Sequence, residues 1–150
     1  MAERRAFDDS EYRASEDRVA QIMGTLWQAQ PLRLTRFYSL SHALVVDRKP
    51  ICFMDIRIRK FPLSQNRSIM LPLSKIIRGI ELQNMTGIPF VVAIQFADAL
   101  AYCRPADMPL ESLTNVHMTD KGGTPGVMRE VEPQVLIPAS QLDTISTAAQ

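Results

Sequence analysis

The 150-residue chain has only two cysteines, Cys52 and Cys103. Each lies in an apolar, strand-like run, and the pair has no metal-ligand spacing. Two reduced, buried thiols are therefore expected, not a disulfide or a metal knuckle. Net charge is scarce as well: 17 Lys and Arg against 16 Asp and Glu leave +1. That excludes a global field for nucleic acid or an anionic membrane, so any nucleic-acid site has to be a local patch. No apolar run approaches the roughly 18–20 residues of a membrane span. The opening MAERRAFDDSEYR is polar and contains acids, so it is not a signal peptide, and a cytoplasmic location is expected. A glycine-rich phosphate loop is missing: Gly122-Gly123 has no Lys-Ser/Thr after it and does not join a strand to a helix. No serine sits in a nucleophile elbow. His42 and His117 have no metal-pair spacing and are expected to be structural or exposed.

What is present fits one domain spanning 1–150. A chain of this size buries roughly 68–70% of its unfolded surface and needs no metal or disulfide to hold a core. Residues 1–9 and 146–150 are expected to be flexible ends. Tyr12, Val19, Ile22, Met23, Leu26 and Trp27 recur at helical spacing, which predicts a helix from about Ser10 to Trp27, with Ser10 as N-cap. Leu32 to Tyr38 alternates as a short strand would. Then comes a hairpin: a β-prone run over 42–46, a polar turn Asp47-Arg48-Lys49-Pro50, and a strand from Ile51 to Arg59. On that strand Cys52, Met54, Ile56 and Ile58 form one face, and Phe53, Asp55, Arg57 and Arg59 the other. Residues 60–70 read as loop.

A second helix is predicted from Pro72 or Ser74 to Met85, with Leu73, Ile76, Ile77, Ile80 and Asn84 as its inner stripe. Gly79 serves close packing on the sheet, and Gly87 and Pro89 end the helix. Phe90 to Phe96 is a continuous apolar run, as in a strand buried on both faces, and pairs most simply with 99–104 as a hairpin. Residues 105–133, punctuated by proline and glycine, read as a long surface loop, with a turn of helix near Leu110–Leu113, before a short C-terminal strand over Val135–Ile137. The order implies an α+β (α/β) sandwich with a mixed sheet and flanking helices.

One constellation carries chemistry. A hairpin with an acid on its first strand and an acid-x-Lys on its second can hold a magnesium ion through carboxylate oxygens, with the lysine on the same face of the strand to polarise water. Here Tyr38 to Asp47 is followed by Asp55-Ile56-Arg57-Ile58-Arg59. Leu73-Ser74-Lys75 opens a helix, Gly87-Ile88-Pro89-Phe90 opens a strand, and Glu132-Pro133 precedes Ile137-Pro138. In this order and spacing, over about residues 10–145, the chain resembles a phage- and prophage-borne branch of the PD-(D/E)XK nuclease superfamily.

The resemblance implies a PD-(D/E)XK nuclease-like core. It also implies a degenerate site: the first-strand Asp falls at Ser41, and the E-x-K at Asp55-x-Arg57. Arg is not an equal exchange for Lys, being bulky, planar and never deprotonated. A helix-one acid would be Glu16 or Asp17, and either is as easily a solvated charge. An Asp55–Arg57 or Asp55–Arg59 ion pair would fill the former pocket. No catalytic residues and no metal or other cofactor are then expected, magnesium entering only if the chain is an active nuclease. The favoured expectation is a structural or interaction protein with protein partners, concretely a capsid decoration or cement subunit on major capsid subunits, with a homo-oligomer open. Such a protein would be made in the host cytoplasm and incorporated into the virion. The alternatives are a magnesium-dependent DNA nuclease and a non-cleaving DNA-binding protein. For the latter the residues are Arg57, Arg59, Lys60 and Arg67, extended by Arg33, Arg36, Arg48 and Lys49. An ordinary charged strand face accounts for the same residues.

Overall fold

A computed structural model describes residues 2–145 except 121–124, 127 and 129. The expected end 146–150 and part of the expected loop lie outside the described residues. Helix α1 (Ala2–Leu26) leads into β1 (Gln30–Arg33), a 3-10 turn at Arg36–Tyr38, β2 (His42–Val46) and β3 (Lys49–Ile58). After β4 (Ser68–Pro72) come α2 (Leu73–Thr86), β5 (Phe90–Gln95), β6 (Leu100–Cys103), the single turn α3 (Leu110–Leu113), β7 (Val116–Asp120), β8 (Val131–Pro138) and β9 (Asp143–Ile145). Among the described residues the strands form a six-stranded sheet, β1-β2-β3-β5-β6-β9, and a three-stranded sheet, β4-β8-β7. The β3–β5 pair is parallel, with α2 in the crossover, and the other pairs are antiparallel. This is the expected mixed sheet with flanking helices.

The hairpin β2–β3 turns on Asp47 and Arg48, both at positive φ (50° and 65°), as a tight two-residue turn matched to strand twist requires. Pro50 has no N–H to give, and the register shifts between Leu44 and Val45 opposite it. Beyond that bulge β3 is buried on both faces. Met54 and Ile56 pack with Val91, Ala93 and the α1 residues Val19, Ala20 and Met23. Phe53 packs on the other side with Ile76 of α2, Phe90, Val92 and Ile94, and with Ile69, Leu71, Val135 and Ile137 of the small sheet. The sheet is thus a filling between α1 and a layer made of α2 and the second sheet. Gly79 faces Phe90 so closely that a Cβ there would overlap the ring, which is the close packing expected of it. Gly87 caps α2 in the left-handed region (φ 73°), its N–H bonding the Gln83 carbonyl.

Several expectations are corrected. Helix α1 begins at Ala2, so residues 2–9 are its first turns and Ser10 lies inside it, not at its cap. The alternation at Leu32–Tyr38 is only partly strand: β1 runs Gln30–Arg33, and the chain then winds into the 3-10 turn. The supposed loop over 60–70 contains the start of β4. Ile77 and Asn84 are exposed, and the inner face of α2 runs through Leu73, Ile76, Gly79, Ile80 and Gln83. Within 105–133 the expected turn of helix is α3, but β7 also lies there and β8 starts at Val131, so the stretch is not one extended loop. The short C-terminal strand is the eight-residue centre of the second sheet.

Candidate functional site

The hairpin mouth, α1 and the start of α2 enclose a cleft of about 390 Å³. Its floor is β3. The pleat turns Asp55 away from Met54 and Ile56, towards the cleft. Ser41 lies across from Asp55. Its N–H donates to the Met54 carbonyl (3.1 Å), its hydroxyl donates to the same oxygen (3.3 Å), and the hydroxyl oxygen accepts the Ile56 N–H (3.1 Å). Ser41 therefore spends its side chain stitching the start of β2 to β3.

Asp55 is only 5% exposed. Burial pushes its carboxyl above the ordinary range, opposed by the charges of Arg57, Lys75 and Arg59 and by the Arg57 hydrogen bond. Arg57 Nε donates to Asp55 Oδ2 at 2.8 Å, so the ion pair is Asp55–Arg57 and not Asp55–Arg59. Arg59 instead gives its guanidinium to the carbonyls of Met70 (3.2 Å) and Ile58 (3.4 Å), and its pKa is lowered by burial and by Arg57.

Helix α1 brings a second acid. Glu16 is 8% exposed and faces the cleft, where Arg33 Nη1 donates to Oε1 at 3.3 Å. Burial raises its pKa against the pull of Arg33 and His42, and the nearby Asp55 charge adds to the rise. Asp17 turns outward, its side chain 56% exposed. Slight burial would raise it, but hydrogen bonds from His42 Nε2 (2.9 Å) and Arg33 Nη2 (2.7 Å) hold it below the ordinary range. Arg33 thus ties β1 to both α1 acids, and the buried His42 is a structural partner of Asp17. His42 Nδ1 has no hydrogen-bond partner among the described residues. Exposed His117 bonds Asn115 (2.9 Å).

The cleft brings together Ser41, Asp55 and Arg57, and adds Glu16, Tyr12, Arg13, Arg33 and Lys75. Tyr12 accepts the Ile58 N–H at 3.3 Å, pinning α1 to β3, and Lys75 Nζ donates to the Ser39 carbonyl. Lys60 and Arg67 are exposed and do not line it. Arg48 and Lys49 sit at the far turn, and the Arg36 side chain lies outside the described residues. Sequence reasoning left Glu16 and Asp17 undecided and gave Lys75 no role. One signal could have settled the first: Glu16 stands three, four and seven residues before the buried Val19, Ala20 and Met23, on the same helical stripe. No local pattern marks Lys75, whose place depends on how α2 crosses the hairpin.

Nuclease chemistry on this fold implies magnesium, which takes near-octahedral oxygen coordination, commonly through one or two carboxylates and several waters. The cleft offers two carboxylates, each engaged by a guanidinium, and a hydroxyl already used by the backbone. Among the described residues no three His, Cys, Asp or Glu side chains converge as a metal set. As placed, neither carboxylate is free of a guanidinium to coordinate the ion.

Comparison with known proteins places the chain in a family. No curated protein matches the chain. Among solved structures it is similar to Hjc, a Holliday junction resolvase from the archaeal hyperthermophile Archaeoglobus fulgidus. The identity is 14%, the TM-score 0.50, and the match covers 90% of this chain and 93% of that one. The likeness is one of fold, a PD-(D/E)XK nuclease fold. The family model described as "Phage putative PDDEXK endonuclease" matches residues 2–145. With a match that spans nearly its whole length, the protein belongs to that phage PDDEXK endonuclease family.

Proposed function

We propose that this protein is a nuclease-fold phage protein that binds without cutting. The observation that carries the reading is the double commitment of the old catalytic positions. The Ser41 hydroxyl is held by the backbone of β3, and Asp55 is locked to Arg57. A magnesium ion would have to displace a guanidinium from a buried carboxylate and would meet at Ser41 a hydroxyl already bonded to the backbone instead of a carboxylate. No metal cofactor is assigned.

The role so proposed is structural. It is an interaction protein of the phage head, a capsid decoration or cement subunit on major capsid subunits, made in the host cytoplasm and carried in the virion. Support for the head placement comes from the phage family alone. Mass spectrometry of purified particles tests it: the polypeptide should be present at high copy number, and its absence rejects the placement.

The test of non-cleavage is an assay with magnesium and with manganese on duplex DNA, single-stranded DNA and a four-way junction, the last because the resolvase shares the fold. No cleavage is expected. Cleavage that disappears in Asp55→Asn would overturn the reading. In the converse experiment, Ser41→Asp with Arg57→Lys should create magnesium binding, read by titration calorimetry.

A second reading has its own observation: Arg13, Arg33, Arg57 and Lys75 line the cleft against Glu16 and Asp55, four cations to two acids. Burial also pushes both acids towards the neutral form. Such a surface retains a nucleic-acid phosphate without a metal, and its affinity must fall steeply with salt.

A further inference from the structure

The cleft does not end at Lys75. Ser39 and Lys75 are shared with a neighbouring hollow along α2, and that hollow shares Arg78 and Glu81 with a third, of about 260 Å³. The third is formed by the 3-10 turn and the C-terminal half of α2, with Phe37, Tyr38, Leu82 and Met85 in its walls. The three hollows thus adjoin in a track that runs from the buried acids and arginines, past an ammonium and a guanidinium, to an aromatic platform. Phe37 is 89% exposed and Met85 85%, and Phe37 belongs to neither buried cluster, so its ring adds nothing to the core.

We propose that Phe37 and Tyr38 are a stacking platform for an unpaired base of a nucleic-acid strand whose phosphates follow Lys75 and Arg78 into the cleft. The proposal rests on the second reading above, retention of nucleic acid without cleavage. Base stacking on exposed aromatic rings beside a cationic groove is how single strands are held without sequence preference. Charge sets this occupant apart from an apolar protein segment. The patch is split by Arg78 and Glu81, and it opens into a cleft richer in cations than in acids. Glu81 opposes a phosphate, but its pair with Arg78 is long (4.0 Å), with both side chains more than half exposed. Such a pair holds its partners weakly, and Arg78 can turn to a phosphate. Lys75 is bonded to a neutral carbonyl, which leaves its charge uncompensated by that contact.

The test uses the full chain and two fluorescent probes, an oligothymidylate of about ten nucleotides and an abasic strand of the same length, within the span one such groove covers. Anisotropy should show the oligothymidylate binding more tightly than the abasic strand. Phe37→Ser should weaken oligothymidylate binding by roughly ten-fold or more and leave abasic binding unchanged. Phe37→Trp should restore it, with the new indole quenched on binding. Arg78→Gln should flatten the salt dependence by about 0.7 in the log–log slope for a single strand. Equal binding of the two probes, or a Phe37→Ser chain that binds as the parent does, overturns the platform. So does a Phe37→Ser chain that loses its place in the particle while its oligonucleotide binding is untouched, which makes the patch a protein contact. Magnesium-dependent cleavage of the bound strand would instead overturn the non-cleaving reading and leave the platform standing.

Discussion

Strand β3 runs between two hollows of similar size and opposite chemistry. At its hairpin end, Ile51 and Cys52 border a hollow of about 320 Å³ with Trp27, Pro89, Val91 and Tyr102. At its other end, Asp55 and Arg57 border the cleft of about 390 Å³. The hairpin-end hollow holds together by contact: the rings of Trp27 and Tyr102 meet edge to face at 5.9 Å and 86°. Its one thiol, Cys52, is pushed up to about 12 by burial and stays neutral. The cleft end buries charge, and each buried carboxylate has a guanidinium beside it. Replacing a buried ion pair with apolar residues of similar volume is often neutral or stabilising, so stability alone does not account for this one. A fold built only to be stable would resemble its hairpin-end hollow at both ends of β3. The charged end is the one at which the proposed binding is placed.

The largest expected effect follows from that contrast. Arg57→Met leaves Asp55 buried without its partner and should cost about 3–5 kcal/mol in urea unfolding. The double variant Asp55→Leu with Arg57→Met removes both charges and should fall between no change and about 1–4 kcal/mol of gain. If the single variant costs as little as the double one, the cleft is wetter than its burial implies and the contrast between the two ends collapses.

A pH series sharpens the same contrast. Burial raises Asp55 and Glu16 above their ordinary values of 3.8 and 4.5. Between the ordinary and the raised value the folded chain holds protons that the unfolded chain has lost. The stability these two groups contribute is complete below the ordinary values and is lost as pH rises through the raised ones. Asp17 has the opposite sign: its lowered pKa gives stability above 3.8 that is lost as pH falls through the folded value. Asp55→Asn cannot titrate. Measured against it, the parent should lose relative stability as pH rises from 3.8 through the Asp55 transition. A difference that does not change with pH would mean that Asp55 titrates alike in the folded and unfolded chains, and a relative gain would mean that its folded value is lowered.

How much of this was legible in the sequence depends on how local each cause is. The hairpin, α2 with its Gly87 stop, and the apolar β5 follow from turn chemistry and periodicity, and all three are present. The three-stranded sheet was missed because β4 is separated in the chain from β7 and β8 by α2, β5, β6 and α3. Pairings such as Ile69 with Ile137 and Leu71 with Val135 leave no local period to read. The site divides the same way. Asp55 and Arg57 are two residues apart on one strand, and their shared face follows from the pleat. Glu16 was within reach through the helical stripe it shares with Val19 and Met23. Lys75 and Arg33 enter the cleft only because α2 crosses over the sheet and β1 pairs beside β2. Those placements are properties of the assembled fold.

The smallest expected effect tests the hairpin-end hollow. Tyr102→Leu keeps an apolar side chain on β6 but removes the edge-to-face contact with Trp27, for which such pairs are worth about 0.5–1.5 kcal/mol beyond their buried area. The loss should be the same in low and high salt, because the contact removed is uncharged and salt screens only charges. Oligonucleotide binding should be unchanged, since Tyr102 lines none of the three hollows that make up the track. A salt-dependent loss, or weaker binding, would place Arg104 rather than the ring pair at the centre of this hollow, since Arg104 is the one charged side chain in its wall. The two ends of β3 would then differ in degree, and the cleft would no longer be the only end of the strand organised around charge.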